Sequence, residues 1–133
     1  MDGEEDGRPP GESGVQVDHA RVLRNVSRAI VELYKEQFGR GPETVSSRFA
    51  GPDALITLLG NSLTPVERTM RDMGEGQRLR DIRTMCQHAT EAKFRAIVEE
   101  MTGRRVVAFM SGIDVAQDVS CEVFTLAPEA PNP

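Results

Sequence analysis

The stretch between Leu63 and Gly103 constrains the fold most, because it joins a strong helix start to a glycine break. Its opening residues, Thr64-Pro65-Val66-Glu67, provide a capping threonine, a proline at the first helical position and a glutamate three residues after the cap. This predicts a short helix ending near Met73. Beyond the Gly-Glu-Gly break, one long amphipathic helix is predicted from Gly76 to about Met101. Its predicted apolar stripe comprises Leu79, Ile82, Met85, Cys86, Ala89, Phe94, Ile97, Val98 and Met101.

The segments on either side repeat one arrangement, a helix followed by two strands. Before the break, apolar spacing predicts a helix over Val17–Phe38 and strands over Thr44–Phe49 and Ala54–Leu59. After it, strands are predicted over Arg105–Met110 and Val119–Leu126. The sequence therefore predicts an α+β fold of two helix–hairpin halves, in the order αββ–ααββ. Its four strands form one antiparallel sheet, and the helices pack on one face.

Composition divides the chain into one domain and two loose ends. Residues 1–14 hold five acidic side chains against a single arginine, which predicts a disordered acidic leader. Residues 15–126 are predicted to form a single domain, and residues 127–133, with three prolines, a loose tail. The net charge of −5 argues against general nucleic-acid binding, which usually requires a basic surface.

The sequence shows no arrangement typical of an enzyme site. Its two histidines, His19 and His88, belong to no nucleophile–base pattern, and it has no Walker-type phosphate loop. The two cysteines, Cys86 and Cys121, fall in apolar patterns, which favours reduced thiols over a disulfide or a metal site. We therefore expect a protein that is not an enzyme and has no metal or cofactor.

The sequence also shows no membrane-targeting feature. It does not begin with a signal-peptide pattern, and no apolar run approaches the ~18 residues that a spanning helix needs. We expect a cytoplasmic protein that reaches a membrane only through a partner.

The glycine break offers one candidate ligand site. The run Gly74, Glu75 and Gly76 leads into a predicted helix, whose free N–H groups favour an anion such as phosphate or bicarbonate. Three arginines lie nearby in sequence, namely Arg71, Arg78 and Arg80. The alternative is a hinge or cap without a ligand, because Glu75 opposes an anion.

The same arginine-rich helices allow a second interpretation, a helix-turn-helix. Its recognition helix would run from Arg78 to Cys86 and turn arginines toward phosphates. Such units normally pack in helical domains, whereas about half of this chain is predicted to form hairpins. We therefore do not expect nucleic acid as the partner.

A four-stranded sheet with helices on one side leaves a second face that can bind a partner. The strand over Ala54–Leu59 is apolar on both faces, which suggests a central position in the sheet or a face covered by something else. Exposed apolar area of that size usually marks a partner surface. We predict a partner surface formed by Leu55, Thr57, Phe124 and Leu126, and homodimerisation through it. The alternative is that helices or tails of the same chain cover this face.

Several segments together resemble a bacterial family, the domain-of-unknown-function family 2294 (DUF2294), also called MpsC-like. They are Ile30–Pro42 (IVELYKEQFGRGP), Leu63–Arg83 (LTPVERTMRDMGEGQRLRDIR) and Met101–Met110 (MTGRRVVAFM), followed by the CEVFTL strand. The resemblance extends over roughly residues 17–126. It implies a small protein associated with a sodium-translocating, membrane-potential-generating system or with inorganic-carbon transport. It implies no catalytic residues and no cofactor.

Two functional hypotheses follow, with a third behind them. The first is a non-enzymatic accessory or regulatory protein that docks on a partner, such as a membrane transport complex of which it would be a subunit. The second is a small-anion or ligand sensor that uses the glycine break. The third is a nucleic-acid-binding regulator.

Overall fold

The computed structural model describes the backbone of residues 10–129 and the side chains of residues 18–129. Four helices and four strands follow one another along the chain. In order, they are α1 (Pro10–Phe38), β1 (Thr44–Phe49), β2 (Ala54–Gly60), α2 (Pro65–Asp72), α3 (Gly76–Ala89), α4 (Glu91–Thr102), β3 (Val106–Asp114) and β4 (Val119–Leu126).

The strands form one antiparallel sheet in the order β1-β2-β4-β3. Each hairpin pairs consecutive strands, and β2 and β4 join the two hairpins at the centre. The predicted α+β class, the four-stranded antiparallel sheet and the helix–hairpin order are confirmed. The second half holds three helices rather than two, so the order of elements is αββ–αααββ.

One face of the sheet is covered by the helices and forms the core. Alternate residues of the two central strands are buried on this side, as in β4, where Ser120, Glu122, Phe124 and Leu126 are all inaccessible. They pack against α1 and α4 in a cluster whose largest fully buried apolar side chains include Tyr34, Phe94, Ile30 and Leu55. The stacked rings of Phe94 and Phe109, 5.2 Å apart, join α4 to β3.

The first helix begins earlier than predicted. The backbone is helical from Pro10, seven residues before the predicted start at Val17, so the predicted leader overlaps α1 over residues 10–14. Asp18, whose short acidic side chain could have capped a helix beginning near Val17, lies inside the helix. The rest of the acidic leader, residues 1–9, and the tail beyond Glu129 lie outside the described residues.

The predicted long helix from Gly76 to Met101 is wrong, because it divides at Thr90 into α3 and α4. The Thr90 hydroxyl donates to the carbonyl of Cys86 at 2.8 Å and accepts from Gln37 on α1 at 3.0 Å. A threonine hydroxyl that bonds to the backbone in this way competes with regular helix continuation.

The division changes which residues of α3 are buried. Leu79 is buried as predicted, but Ile82 and Met85 face solvent, and Met85 is 64% exposed. Arg83 and Gln87 occupy the buried face instead. The predicted apolar stripe assumed one continuous helix through Thr90. It therefore matches the buried residues of α4, Phe94 and Val98, but only Leu79 among the buried residues of α3.

Candidate functional site

The start of α2 is built as the sequence predicts. The Thr64 hydroxyl accepts from the backbone N–H of Glu67 at 3.3 Å, and the Glu67 carboxylate accepts from the backbone N–H of Thr64 at 2.8 Å. This capping box fixes the Glu67 side chain at the inner end of α2. Glu67 is thereby positioned to meet α3.

A buried ion pair joins α2 to α3 at that point. Arg83 donates from Nε to Glu67 Oε2 at 2.8 Å and from Nη2 to Glu67 Oε1 at 2.6 Å. Its Nη2 also donates to the carbonyl of Ser62 at 3.0 Å, and its guanidinium lies 3.7 Å from the centre of the Phe38 ring. Such two-point pairing fixes orientation as well as charge. The helix-turn-helix interpretation turned three arginines toward phosphates, Arg78, Arg80 and Arg83, and the last of these is buried, with 3% of its surface exposed.

A second carboxylate lies deeper, on the central strand β4. Glu122 is fully buried, and its Oε2 accepts from the Tyr34 hydroxyl at 2.5 Å and from Gln87 Nε2 at 3.0 Å. Its Oε1 has no hydrogen-bond partner among the described residues. Glu122 thus ties the sheet to α1 through Tyr34 and to α3 through Gln87.

The pKa values of the two carboxyl groups are shifted in opposite directions, that of Glu122 upward and that of Glu67 downward. Burial raises the pKa of Glu122 to about 7, although the hydrogen bonds from Tyr34 and Gln87 partly oppose this rise. Burial alone would also raise the pKa of Glu67, but the hydrogen bonds from Arg83 and from the Thr64 backbone outweigh it and hold that pKa below its ordinary value. Burial and the neighbouring Glu122 raise the pKa of Tyr34 well above its usual range, so its hydroxyl keeps its proton.

A small polar cavity adjoins this network between α3 and β3. Its volume is about 10 Å³, and its lining includes Tyr34, Arg83, Gln87, Ser111 and Ser120. A polar space of this size accommodates about one water molecule.

The side of the sheet away from the helices is named here the outer face. On its two central strands it carries Ile56, Leu58, Cys121 and Val123, and on β3 it carries Ala108 and Met110. Leu58 is 50% and Met110 52% exposed, and no described helix lies over them. Its charged side chains stand at opposite edges, Arg48 on β1 and Asp114 on β3. The outer face is therefore apolar in the middle and charged at its margins.

The residues predicted to form the partner surface do not lie on this face. Leu55, Thr57, Phe124 and Leu126 point toward the helices and are at most 3% exposed. Thr57 belongs to a buried chain of hydroxyls, in which Ser47 Oγ lies 2.8 Å from Thr57 Oγ1. That assignment is wrong because a strand alternates its faces, and the adjacent residues of β2 and β4 are the ones left open.

The six residues of the predicted anion site come together only in part. Gly74 adopts a left-handed backbone, φ +84°, and Glu75 and Gly76 begin α3, as the glycine pattern indicates. Arg78 is paired with Glu75 at 3.4 Å, across exposed surface. Arg71 and Arg80 instead turn to the β3–β4 hairpin, where each donates to a backbone carbonyl at 3.5 Å, those of Val115 and Ile113. The arginines therefore do not converge on the free N–H groups of α3.

Sequence reasoning missed the network of Tyr34, Arg83, Gln87 and Glu122. One signal for it was present in the sequence. Glu122 is two residues before Phe124 and four before Leu126 on β4, and alternate residues of a strand lie on the same face. The other partners come from α1 and α3. Their meeting with Glu122 depends on packing that is not encoded in local spacing.

These features define a small α+β protein with a buried carboxyl network beneath an apolar outer face. The chain matches a family model described as Na+-translocating membrane potential-generating system (MpsC) over residues 19–128, and it belongs to that family. The resemblance noted in its sequence is thereby confirmed. No curated protein and no solved structure gives a significant match. Among the described residues, no helix is both long and apolar enough to cross a membrane.

Proposed function

We propose that the chain is a non-enzymatic accessory protein of a Na+-translocating, membrane-potential-generating system. The family description supports the association with such a system. The outer face is the observation that carries the docking role, because a contiguous apolar sheet surface on a small protein is typical of a binding surface.

We infer that a second copy of this chain occupies the outer face. The face is charged only at its margins, and the two edges differ in sign, with Arg48 on β1 and Asp114 on β3. A two-fold axis parallel to the strands would place β1 of one copy over β3 of the other, and the apolar central strands β2 and β4 of each copy over those of its partner. The central apolar side chains would interdigitate as in a β-sandwich.

The dimer is tested by placing a charge at the centre of the outer face. Leu58→Glu should turn a dimer into a monomer in sedimentation equilibrium, because two carboxylates would face an apolar partner surface. Val66→Glu is the matched control, since Val66 is 67% exposed on α2, away from the sheet, and this variant should stay dimeric. A monomeric unsubstituted protein, or a dimer that survives Leu58→Glu, would contradict this arrangement.

The native thiols give a second measure of the same geometry. Cys121 lies on the outer face beside the proposed axis, which puts the two Cα atoms about 11 Å apart, given ~10 Å between sheets and ~4.8 Å between strands. In a Cys86→Ser background, a short bismaleimide should cross-link the dimer through Cys121. In a Cys121→Ser background the cross-linked band should disappear.

The accessory role is tested by cross-linking in the cell of origin. The tagged chain should recover an identified multi-spanning subunit of a cation-transporting system from detergent-solubilised membranes. Recovery of copies of the chain alone would leave the dimer intact and contradict the accessory role. The Leu58→Glu variant then shows whether the membrane subunit binds the dimer or the single chain.

A further inference from the structure

We propose that Glu122 is a proton-binding site whose ionisation controls how α1 and α3 pack on the sheet. This inference depends on the interior of the domain and not on the outer face or its occupant.

The first support is the charge balance of the buried cluster. Two buried carboxyl groups, those of Glu67 and Glu122, interact electrostatically with the buried guanidinium of Arg83. A third buried carboxyl group, that of Asp118, instead accepts from the backbone N–H groups of Ser62 and Leu63. Arg83 donates its short hydrogen bonds to Glu67 and to the Ser62 carbonyl, and none of them to Glu122. With Glu67 and Glu122 both ionised, the cluster carries one uncompensated negative charge, which is strongly disfavoured away from water. One bound proton on Glu122 removes it.

The second support is the geometry of the carboxyl group itself. Oε2 is occupied by donors from Tyr34 and Gln87, whereas the fully buried Oε1 lacks a partner within the described part of the chain. A protonated Oε1 becomes a donor, and the hydroxyl of Ser111, which pairs with Glu122 across β3 and β4, can accept from it.

The groups around Glu122 set the direction of the response. On α1, the neighbour of Glu122 is Tyr34, which remains neutral. On α3, its neighbours are Arg83 and the uncharged Gln87. Glu67 of α2 lies beyond Arg83 and is paired with it. The neighbouring strands β2 and β3 contribute hydroxyls, and Cys121 follows on the opposite face of β4. Arg83 is the cation in this set. Loss of the proton therefore creates a second anion that competes for Arg83.

Competition between Glu67 and Glu122 for Arg83 affects α3 because Arg83 and Gln87 both lie on that helix. Arg83 and Gln87 lie one turn apart on α3, one bound to Glu67 and the other to Glu122. A pull of ionised Glu122 on Arg83 weakens the hold of α3 on α2 and shifts the α3 face that packs on the sheet. Proton loss thus acts on α3 directly and on α1 through Tyr34.

The experiment is a carboxyl-carbon NMR titration of the full chain with labelled glutamate. One glutamate, absent from the spectrum of Glu122→Gln, should titrate with a midpoint near 7. Backbone amides of α3 around Gln87 should shift with the same midpoint, and Glu122→Gln should abolish these shifts. Glu100→Gln, at an exposed position of α4, should leave both unchanged.

A second variant keeps the test decisive if Glu122→Gln does not fold. Tyr34→Phe removes a donor that favours the ionised carboxylate, so the midpoint should rise by about one pH unit. The absence of any glutamate midpoint between about 6 and 8 would overturn the proposed proton site. A midpoint near 7 without movement of the α3 amides, or amide shifts that persist in Glu122→Gln, would overturn its control of packing.

Discussion

Replacing Arg83 by methionine should lower the free energy of unfolding by about 3–5 kcal/mol. The substitution leaves the Glu67 carboxylate at the α2–α3 contact without its bidentate partner, which donates at 2.6 and 2.8 Å. It also removes the guanidinium from the Phe38 ring and leaves the buried Ser62 carbonyl without that donor. A buried carboxylate without a partner is costly, because neither water nor another charge compensates it. Urea denaturation at neutral pH measures the loss.

Arg78 provides the matched control on the same helix. It pairs with Glu75 at 3.4 Å, but its side chain is 71% exposed, so Arg78→Met should change the free energy of unfolding by about 0.5 kcal/mol or less. The double variant Arg83→Met with Glu67→Gln should recover part of the loss, because it removes the stranded charge. Equal losses for Arg83→Met and Arg78→Met would contradict a structural role for the buried pair.

The second large effect is a fall in stability as the pH rises through the range in which Glu122 titrates. The unfolded carboxyl group ionises near its ordinary pKa of 4.5, whereas burial raises the pKa of native Glu122 to about 7. Between these values the native state binds more protons than the unfolded state, so raising the pH favours unfolding. The free energy of unfolding should fall by about 3 kcal/mol from pH 4.5 to above 7, at about 1.4 kcal/mol for each unit of pKa difference.

The titration of Glu67 does not obscure the effect of Glu122 between pH 4.5 and 7. Glu67 has a lowered native pKa, so its stabilising contribution is present above 4.5 and is lost only at lower pH. Glu122→Gln is neutral at all these pH values, so the difference in stability between it and the unsubstituted protein should change by about 3 kcal/mol across the window. Chemical denaturation of both proteins at intervals from pH 4.5 to 8 measures that difference. Parallel pH profiles would show that Glu122 titrates normally.

The carboxyl network lies directly behind β4, whose Cys121 and Val123 face outward, so the proposed proton site and the proposed dimer surface share one strand. The two proposals remain separable, since Leu58→Glu tests the surface and Glu122→Gln tests the interior.

Local chemistry in the sequence determined much of the architecture. The Thr64 cap, the proline after it and the glutamate at the third position require a helix start, and the structure contains the complete capping box. Glycines at the predicted helix ends adopt the left-handed backbone that terminates helices, as at Gly74 and Gly103. Short apolar segments bounded by turn residues likewise predicted all four strands. These features depend on neighbours within a few residues, and that is why the sequence alone could specify them.

Tertiary packing decided the rest, which includes both candidate sites. Alternation along β2 and β4 shows that two faces exist, but only the packed helices determine that Leu55 and Phe124 are inside and Leu58 and Val123 outside. The long predicted helix divides at Thr90, whose hydroxyl donates to the Cys86 carbonyl and accepts from Gln37 of α1. The Glu122 network joins residues separated by 35 and 88 positions in the chain. A buried charge is stable only where such distant partners meet it, so the site exists in the folded arrangement and not in any local sequence pattern.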